Sequence, residues 1–225
     1  ATTNDVGAQL DLHGGSIHIA SAVVLPSGKL TLTADGDVTL ADGALLDVSG
    51  RRLHFFDVTR DTWGGDIEIT SEHGNVVQQA GATIDVSAAN EDAGSLSLAA
   101  LDASTGRIAL NGTLRGSGAS GHDQGRFMLG AQRIGDSAAT LSADFAALNT
   151  VLTDAGFIGA RGFAFKQGDL IIGNEMKARE VTVSVDGGSL TVNGRIDATG
   201  AKPGTIRLAA RDDLRLGGSA ELDAR

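Results

Sequence analysis

The sequence predicts an all-β chain, a right-handed parallel β-helix with one short helical insertion, and three observations carry that expectation. First, short runs alternate apolar and polar residues: Leu30/Leu32, Ile67/Ile69, Leu96/Leu98, Val181/Val183 and Ile206/Leu208. Such alternation puts one aliphatic row on one face of each strand and a polar row on the other. Second, the runs recur in units of the same internal order. Third, the composition favours small residues and aliphatics over rings, with 32 Gly, 2 Pro, no Tyr, one Trp and seven Phe in 225 residues. A β-sandwich also has short strands and regular turns, but it needs no identity between units and its core is usually rich in bulky aromatics.

The clearest unit runs from Gly65-Asp66-Ile67-Glu68-Ile69-Thr70 through His73-Gly74-Asn75-Val76-Val77 to Ile84-Asp85-Val86-Ser87. The same order is read from Gly28 to Gly50, from Gly94 to Gly118, from Glu180 to Gly200 and from Gly204 to Arg225. Three short strands joined by Gly, Asn and Asp corners cannot bury an apolar face alone, so the units must stack. At about 4.8 Å per unit, seven to nine units make a rod of roughly 35 to 45 Å. Leu10-Asp11-Leu12 already reads as strand and Leu222-Asp223-Ala224-Arg225 closes a unit, with no polar capping element at either position. The expectation is therefore one segment, residues 1–225, of a longer rod.

Composition excludes several classes. A hydrophobic fraction of 41% is enough to fold, and high glycine without a G-X-Y period excludes a collagen-like chain. A net charge of −10 with no clustered Lys/Arg face speaks against nucleic acid as a partner. The absence of Cys removes disulfides, thiolate catalysis and Cys-ligated zinc. No apolar stretch approaches the roughly 20 residues of a membrane-spanning helix.

Two segments break the repeat. Residues 51–63, containing Arg51, Arg52, Phe55, Phe56 and the single Trp63, read as a loop insertion. Its aromatics either staple the loop to the strands beneath or form a contact patch, because aromatics and Arg anchor interfaces. Residues 119–165 read as a longer insertion with a helix near 142–155, since Leu141, Phe145, Leu148 and Leu152 recur at helical spacing. Ser142 is the expected N-cap and Gly156 the expected terminator. The apolar stripe is expected to pack on the outside of the β-structure.

The candidate chemistry is sparse. Gly116-Ser117-Gly118-Ala119-Ser120-Gly121 matches the dinucleotide pattern, but strand-like Arg126-Phe127-Met128-Leu129 follows where a helix is required. Ser120, His122 and Asp123 lie too close in sequence to form a triad. The five His show no zinc-type spacing, and no cofactor or metal is implied. Asp47, Asp85, Asp197 and Asp223 hold the same place in successive units, with Arg115 there in one. Asp at a repeated corner can accept backbone N–H groups, which points to architecture before catalysis.

The pattern G-x-I-x-I-x-S…G-x-V…G-A-x-I-D-V-S at Gly65 to Ser87, loosely repeated at Gly28 to Ser49 and Glu180 to Thr199, resembles filamentous haemagglutinin-like exoproteins of Gram-negative bacteria. That resemblance covers most of the chain outside 119–165. It implies a secreted β-helical adhesin at the cell surface, exported by two-partner secretion through an outer-membrane barrel that engages a region outside this segment. It implies binding to a surface receptor or glycan, and no catalysis. The family's N-P-N-G-type secretion motif has no counterpart here. Two other readings stand beside it: a carbohydrate-active β-helix, lyase or hydrolase, using carboxylates from adjacent units, and the stick of a contact-dependent inhibition toxin. Scarce aromatics disfavour the sugar enzyme.

Overall fold

A computed structural model describes residues 6–135 and 137–225, and its regular structure is chiefly parallel β-sheet with one α-helix. The first unit is β1 (Gln9–Gly14), β2 (Ile17–Ile19) and β3 (Ala22–Val24), and the second is β4 (Lys29–Ala34), β5 (Val38–Leu40) and β6 (Leu45–Asp47). A hairpin of β7 (Arg52–Phe55) and β8 (Val58–Asp61) precedes the third, β9 (Asp66–Ser71), β10 (Val76–Gln78) and β11 (Thr83–Asp85). The fourth is β12 (Ser95–Ala100), β13 (Arg107–Leu110) and β14 (Thr113–Arg115). The fifth has β15 (Arg126–Ala131) and β16 (Arg133–Ile134), followed by helix α1 (Leu141–Asp154). Three more units follow: β17 (Ala160–Phe165), β18 (Leu170–Ile172), β19 (Met176–Lys177); β20 (Glu180–Val185), β21 (Leu190–Val192), β22 (Arg195–Asp197); and β23 (Thr205–Ala210), β24 (Leu214–Leu216), β25 (Glu221–Asp223).

Strands in the same place of successive units pair in parallel. The first strands form one sheet of eight, ordered β1-β4-β9-β12-β15-β17-β20-β23. Their register is unbroken, so Leu30, Ile67, Leu96 and Phe127 lie in one inward column and Leu32, Ile69, Leu98 and Leu129 in the next. All eight side chains are buried. Removing each from water contributes on the order of 1.5 to 3 kcal/mol. The second and third strands form sheets that stop at the helix, β16-β13-β10-β5-β2 and β14-β11-β6-β3 before it, β18-β21-β24 and β19-β22-β25 after it. No sheet closes into a barrel among the described residues.

Glycine at the head of the first strand has a steric cause. A Cβ on Gly94 would overlap the carbonyl of Gly65, and one on Gly65 would overlap the carbonyl of Gly28. Consecutive units therefore approach backbone to backbone at that corner, and no larger residue fits.

The helix differs from expectation in where it starts and what it does. It covers 141–154, and a 3-10 turn, Ala138–Thr140, runs into it with Ser137 accepting from the Ala139 N–H. Ser142 is not the cap; its hydroxyl accepts from the Ile171 N–H at 2.9 Å and ties the helix to β18. The terminator is Gly156, at φ +84. The Gly156 N–H donates to the Thr153 carbonyl and the Phe157 N–H to the Leu152 carbonyl, closing a Schellman motif with Leu152 and Phe157 both buried. The excursion is also narrower than 119–165, because 126–134 and 160–165 belong to the sheets.

Far from lying outside the β-structure, α1 completes its core. Phe145 packs on Phe163 at 4.9 Å and on Phe165 at 6.1 Å between ring centroids, and Leu141, Phe145 and Leu152 are fully buried. The helix touches β16, β18 and β19 across the break between the split sheets. Its end is held by Arg161, which occupies the inward column between Phe127 and Val181. Only 1% of Arg161 is exposed. Its guanidinium donates to the carbonyls of Phe157 (2.6 Å) and Asn149 (3.2 Å), the Asn149 side-chain oxygen (2.5 Å) and the Thr153 hydroxyl (3.0 Å). Burial pushes its pKa down to about 10, so it remains a cation at neutral pH facing the negative end of the helix. Asn149, itself buried, donates onward to the Glu175 carbonyl at 2.7 Å.

Replacing Arg161 with Met keeps much of the volume but strands these acceptors. Urea unfolding should show a loss of about 2 to 4 kcal/mol; a variant as stable as the parent would disprove the capping role.

Candidate functional site

Residues 51–63 form a hairpin, with Arg52 opposite Asp61, Leu53 opposite Arg60, His54 opposite Thr59 and Phe55 opposite Val58. The Phe55 side chain lies outside the described residues. Arg52 Nε donates to Asp61 Oδ1 at 2.9 Å, and this ion pair raises the Arg52 pKa and lowers that of Asp61. The base is pinned to the sheet: Ser27, buried and at φ +53, donates its hydroxyl to the Trp63 carbonyl at 2.6 Å and lies 2.6 Å from the Thr62 hydroxyl. Thr62 also closes the hairpin, accepting from the Arg51 N–H at 2.9 Å.

At the tip Phe56 does not staple the hairpin to the strands beneath. Phe56 is fully exposed and, at φ +53, sits in the left-handed region that a bulky residue avoids. Trp63 is more than half exposed at the base. Among the described residues, ring pairs join only Phe127, Phe145, Phe157, Phe163 and Phe165 in the interior. Phe56 and Trp63 thus offer exposed apolar surface at the tip and the base of the hairpin, with Arg60 also exposed. Arg51, partly exposed, bonds Ser49 and the Asp47 carboxylate.

The repeated acids are brought together in two pairs. Asp47 lies opposite Asp85 and Asp197 opposite Asp223, in the third-strand sheets on either side of the helix. Each side-chain oxygen closes a turn onto the residue two further on. Asp47 accepts from the Ser49 N–H and hydroxyl (2.9 and 2.6 Å), Asp85 from those of Ser87 (3.0 and 2.6 Å), and Asp197 from those of Thr199 (3.0 and 2.6 Å). Asp223 accepts from the Arg225 side chain. Repulsion between stacked acids is offset by cations in the same columns: Arg115 follows Asp85, and Lys177 precedes Asp197. Burial raises the Asp47 pKa, but bonds from Ser49 and Arg51 outweigh it and the net shift is downward. Bonds from Thr199 lower Asp197, and the Arg225 guanidinium holds Asp223 at about 2. The side-chain oxygens of these acids are thus engaged by corner N–H and hydroxyl groups or by Arg.

A groove of about 200 Å³ runs between α1 and β13, lined mainly by Ala109, Leu110, Asn111, Leu148 and Val151. Asp144 is the acid on its wall among the described residues. Asp35, Glu72 and His73 place three potential metal-ligand atoms within 4.8 Å of one another on exposed corners, where His73 Nδ1 lies 2.9 Å from Asp35 Oδ1. That cluster joins corners of neighbouring units, so their sequence separation hid it. His122 lies 3.0 Å from Asp92 Oδ1, not beside Ser120 in a triad. No helix among the described residues is long and apolar enough to cross a membrane.

Comparison with protein families, with curated proteins and with solved structures finds no match.

The corner acids make a pH prediction. The folded-state pKa of Asp47 lies below its unfolded value, so its stabilisation is complete above the unfolded value near pH 4 and is lost as pH falls through the folded one. Asp47→Ala should cost about 1 to 2 kcal/mol at neutral pH. Urea titrations of both proteins should converge in acid; a gap constant from pH 7 to pH 2 refutes the assignment.

Proposed function

We propose that the chain is a stretch of right-handed parallel β-helix acting as a non-catalytic shaft and contact module of a secreted bacterial surface exoprotein, of the filamentous haemagglutinin-like kind. Two-partner export would use a barrel transporter engaging a region outside this segment. The eight-stranded parallel sheet and its in-register columns support the solenoid reading. The observation that carries the contact role is the tip of the hairpin. A fully exposed Phe56 at positive φ exposes a ring to water and strains its backbone at once, and neither favours folding. A residue that lowers stability in this way is accounted for by what it touches on a partner, here a surface receptor or glycan. The hydrogen bonds of Ser27 and Thr62 at the base support that role, since a segment already tied down before binding has less freedom to lose.

The enzyme reading is less well supported. Glycoside hydrolysis needs two carboxyl groups flanking the scissile bond. The stacked acids serve corners, and the groove beside α1 presents Asp144 alone among the described residues.

Beads coated with the protein should adhere to epithelial or bacterial cells. Phe56→Gly should reduce adhesion by about tenfold or more while holding or raising stability by roughly 0.5 to 1 kcal/mol, because glycine accepts positive φ. Adhesion that survives both Phe56→Gly and Trp63→Ala, or polysaccharide turnover abolished by Asp144→Asn, would overturn the proposal.

A further inference from the structure

The groove beside α1 is built by a strand that stops early. β16 pairs with β13 through Arg133 on Arg107 and Ile134 on Ile108, and the chain then leaves the sheet at Gly135, which has φ +72. The second half of β13 is thus without a neighbour strand on that side, and Leu148 and Val151 of α1 supply the other wall of the opening. The groove belongs to the fourth and fifth units, with three units before them and three after.

Its lining is mostly apolar, and Asp144 is the one charged residue in it among the described residues. That carboxylate makes no hydrogen bond and no ion pair with them. Oδ2 is shut off from water with no donor beside it, and it occupies room left by a glycine, because a Cβ on Gly135 would lie 1.9 Å away. A desolvated carboxylate oxygen without a donor is unfavourable, and a cationic donor relieves it more than a neutral one. The last torsion of Asp is soft, so either oxygen can turn toward a ligand. Asn111 is exposed on the same lining and adds a side-chain carbonyl as a second acceptor. Arg107 lines the wider cleft that continues past Asn111 and Asp144, but it does not line the groove itself.

Size narrows the ligand further. The volume of about 200 Å³ lies below the roughly 300 to 1,000 Å³ of a drug-sized site and holds about six or seven groups of water's volume, at roughly 30 Å³ each. An ammonium on an aliphatic chain of about five carbons matches that count. The ammonium donates and never accepts, which suits two acceptors with no donor between them. We propose that this groove binds an aliphatic ammonium, held at Asp144 and Asn111 with its chain along Leu110, Leu148 and Val151. These residues are not those of the hairpin, so the proposal stands apart from the adhesion reading.

The test is titration of the whole chain with n-pentylamine at neutral pH, followed by ¹⁵N–¹H nuclear magnetic resonance. Signals of residues 109–111 and 144–151 should move together and saturate, with a dissociation constant on the order of 1 mM or below. 1-Pentanol and pentanoate, which keep the chain and lose the cation, should each bind about tenfold more weakly or not at all. Asp144→Asn should weaken pentylamine by about tenfold or more, and Val151→Trp, which fills the groove from an exposed helix position, should abolish binding. Nα-acetyl-lysine amide carries the same ammonium on a peptide: binding as tight as that of pentylamine assigns the site to a lysine of a protein partner, and binding at least about tenfold weaker assigns it to a free amine. No localised shifts with pentylamine, equal binding of pentanol or pentanoate, or an Asp144→Asn variant that binds as well as the parent would overturn the proposal. The comparison of the three ligands on the parent chain decides the matter even where a variant fails to fold.

Discussion

Everything in this molecule depends on the backbone register of the first sheet. Eight strands pair in parallel with the same residue of each unit above the same residue of the next. A slip by one residue would turn every inward aliphatic to water and every outward polar residue to the core. The glycine column at Gly28, Gly65 and Gly94 enforces the close approach that this register needs. The corner acids do the same at the third strands, each fixing a turn through the N–H two residues on.

That register also explains why a helix can interrupt two sheets without breaking the third. The first sheet runs past α1 uninterrupted, and β15 and β17 pair directly while the second and third strands on either side part. The gap is filled by rings, Phe127, Phe145, Phe157, Phe163 and Phe165, so most of the phenylalanine in the chain is gathered where the aliphatic columns alone would leave space. Arg161 stands in an apolar column because the helix end needs donors there more than the column needs one further aliphatic.

The sequence made the repeating parts legible and the exceptions much less so. Alternation exposed the columns, and the spacing of Leu141, Phe145 and Leu152 exposed the helix, since both are periodic signals. The hairpin at 52–61 read as a loop because a two-residue turn normally announces itself with Asn-Gly or Gly, and here Phe56 and Asp57 stand in that place. Arg161 was hidden because it violates the alternation, and its acceptors are main-chain carbonyls that no side-chain pattern reveals. The pairing of Asp47 with Asp85 could be anticipated from repetition. Arg115 is legible in the same repeat, whereas Lys177, the cation beside Asp197, emerges only from the pairing of the strands after the helix.

The central claim is that successive units stack in one register along one axis. The chain has no Cys, so pairs of spin labels can be placed without background at outward third positions of the long strands: Thr31, Glu68, Ser97, Thr182 and Arg207. Distances measured from position 31 by pulsed electron paramagnetic resonance should rise in even steps of about 4.8 Å per unit, reaching roughly 29 Å at position 207. Distances that plateau or fall with strand order would contradict the stacking.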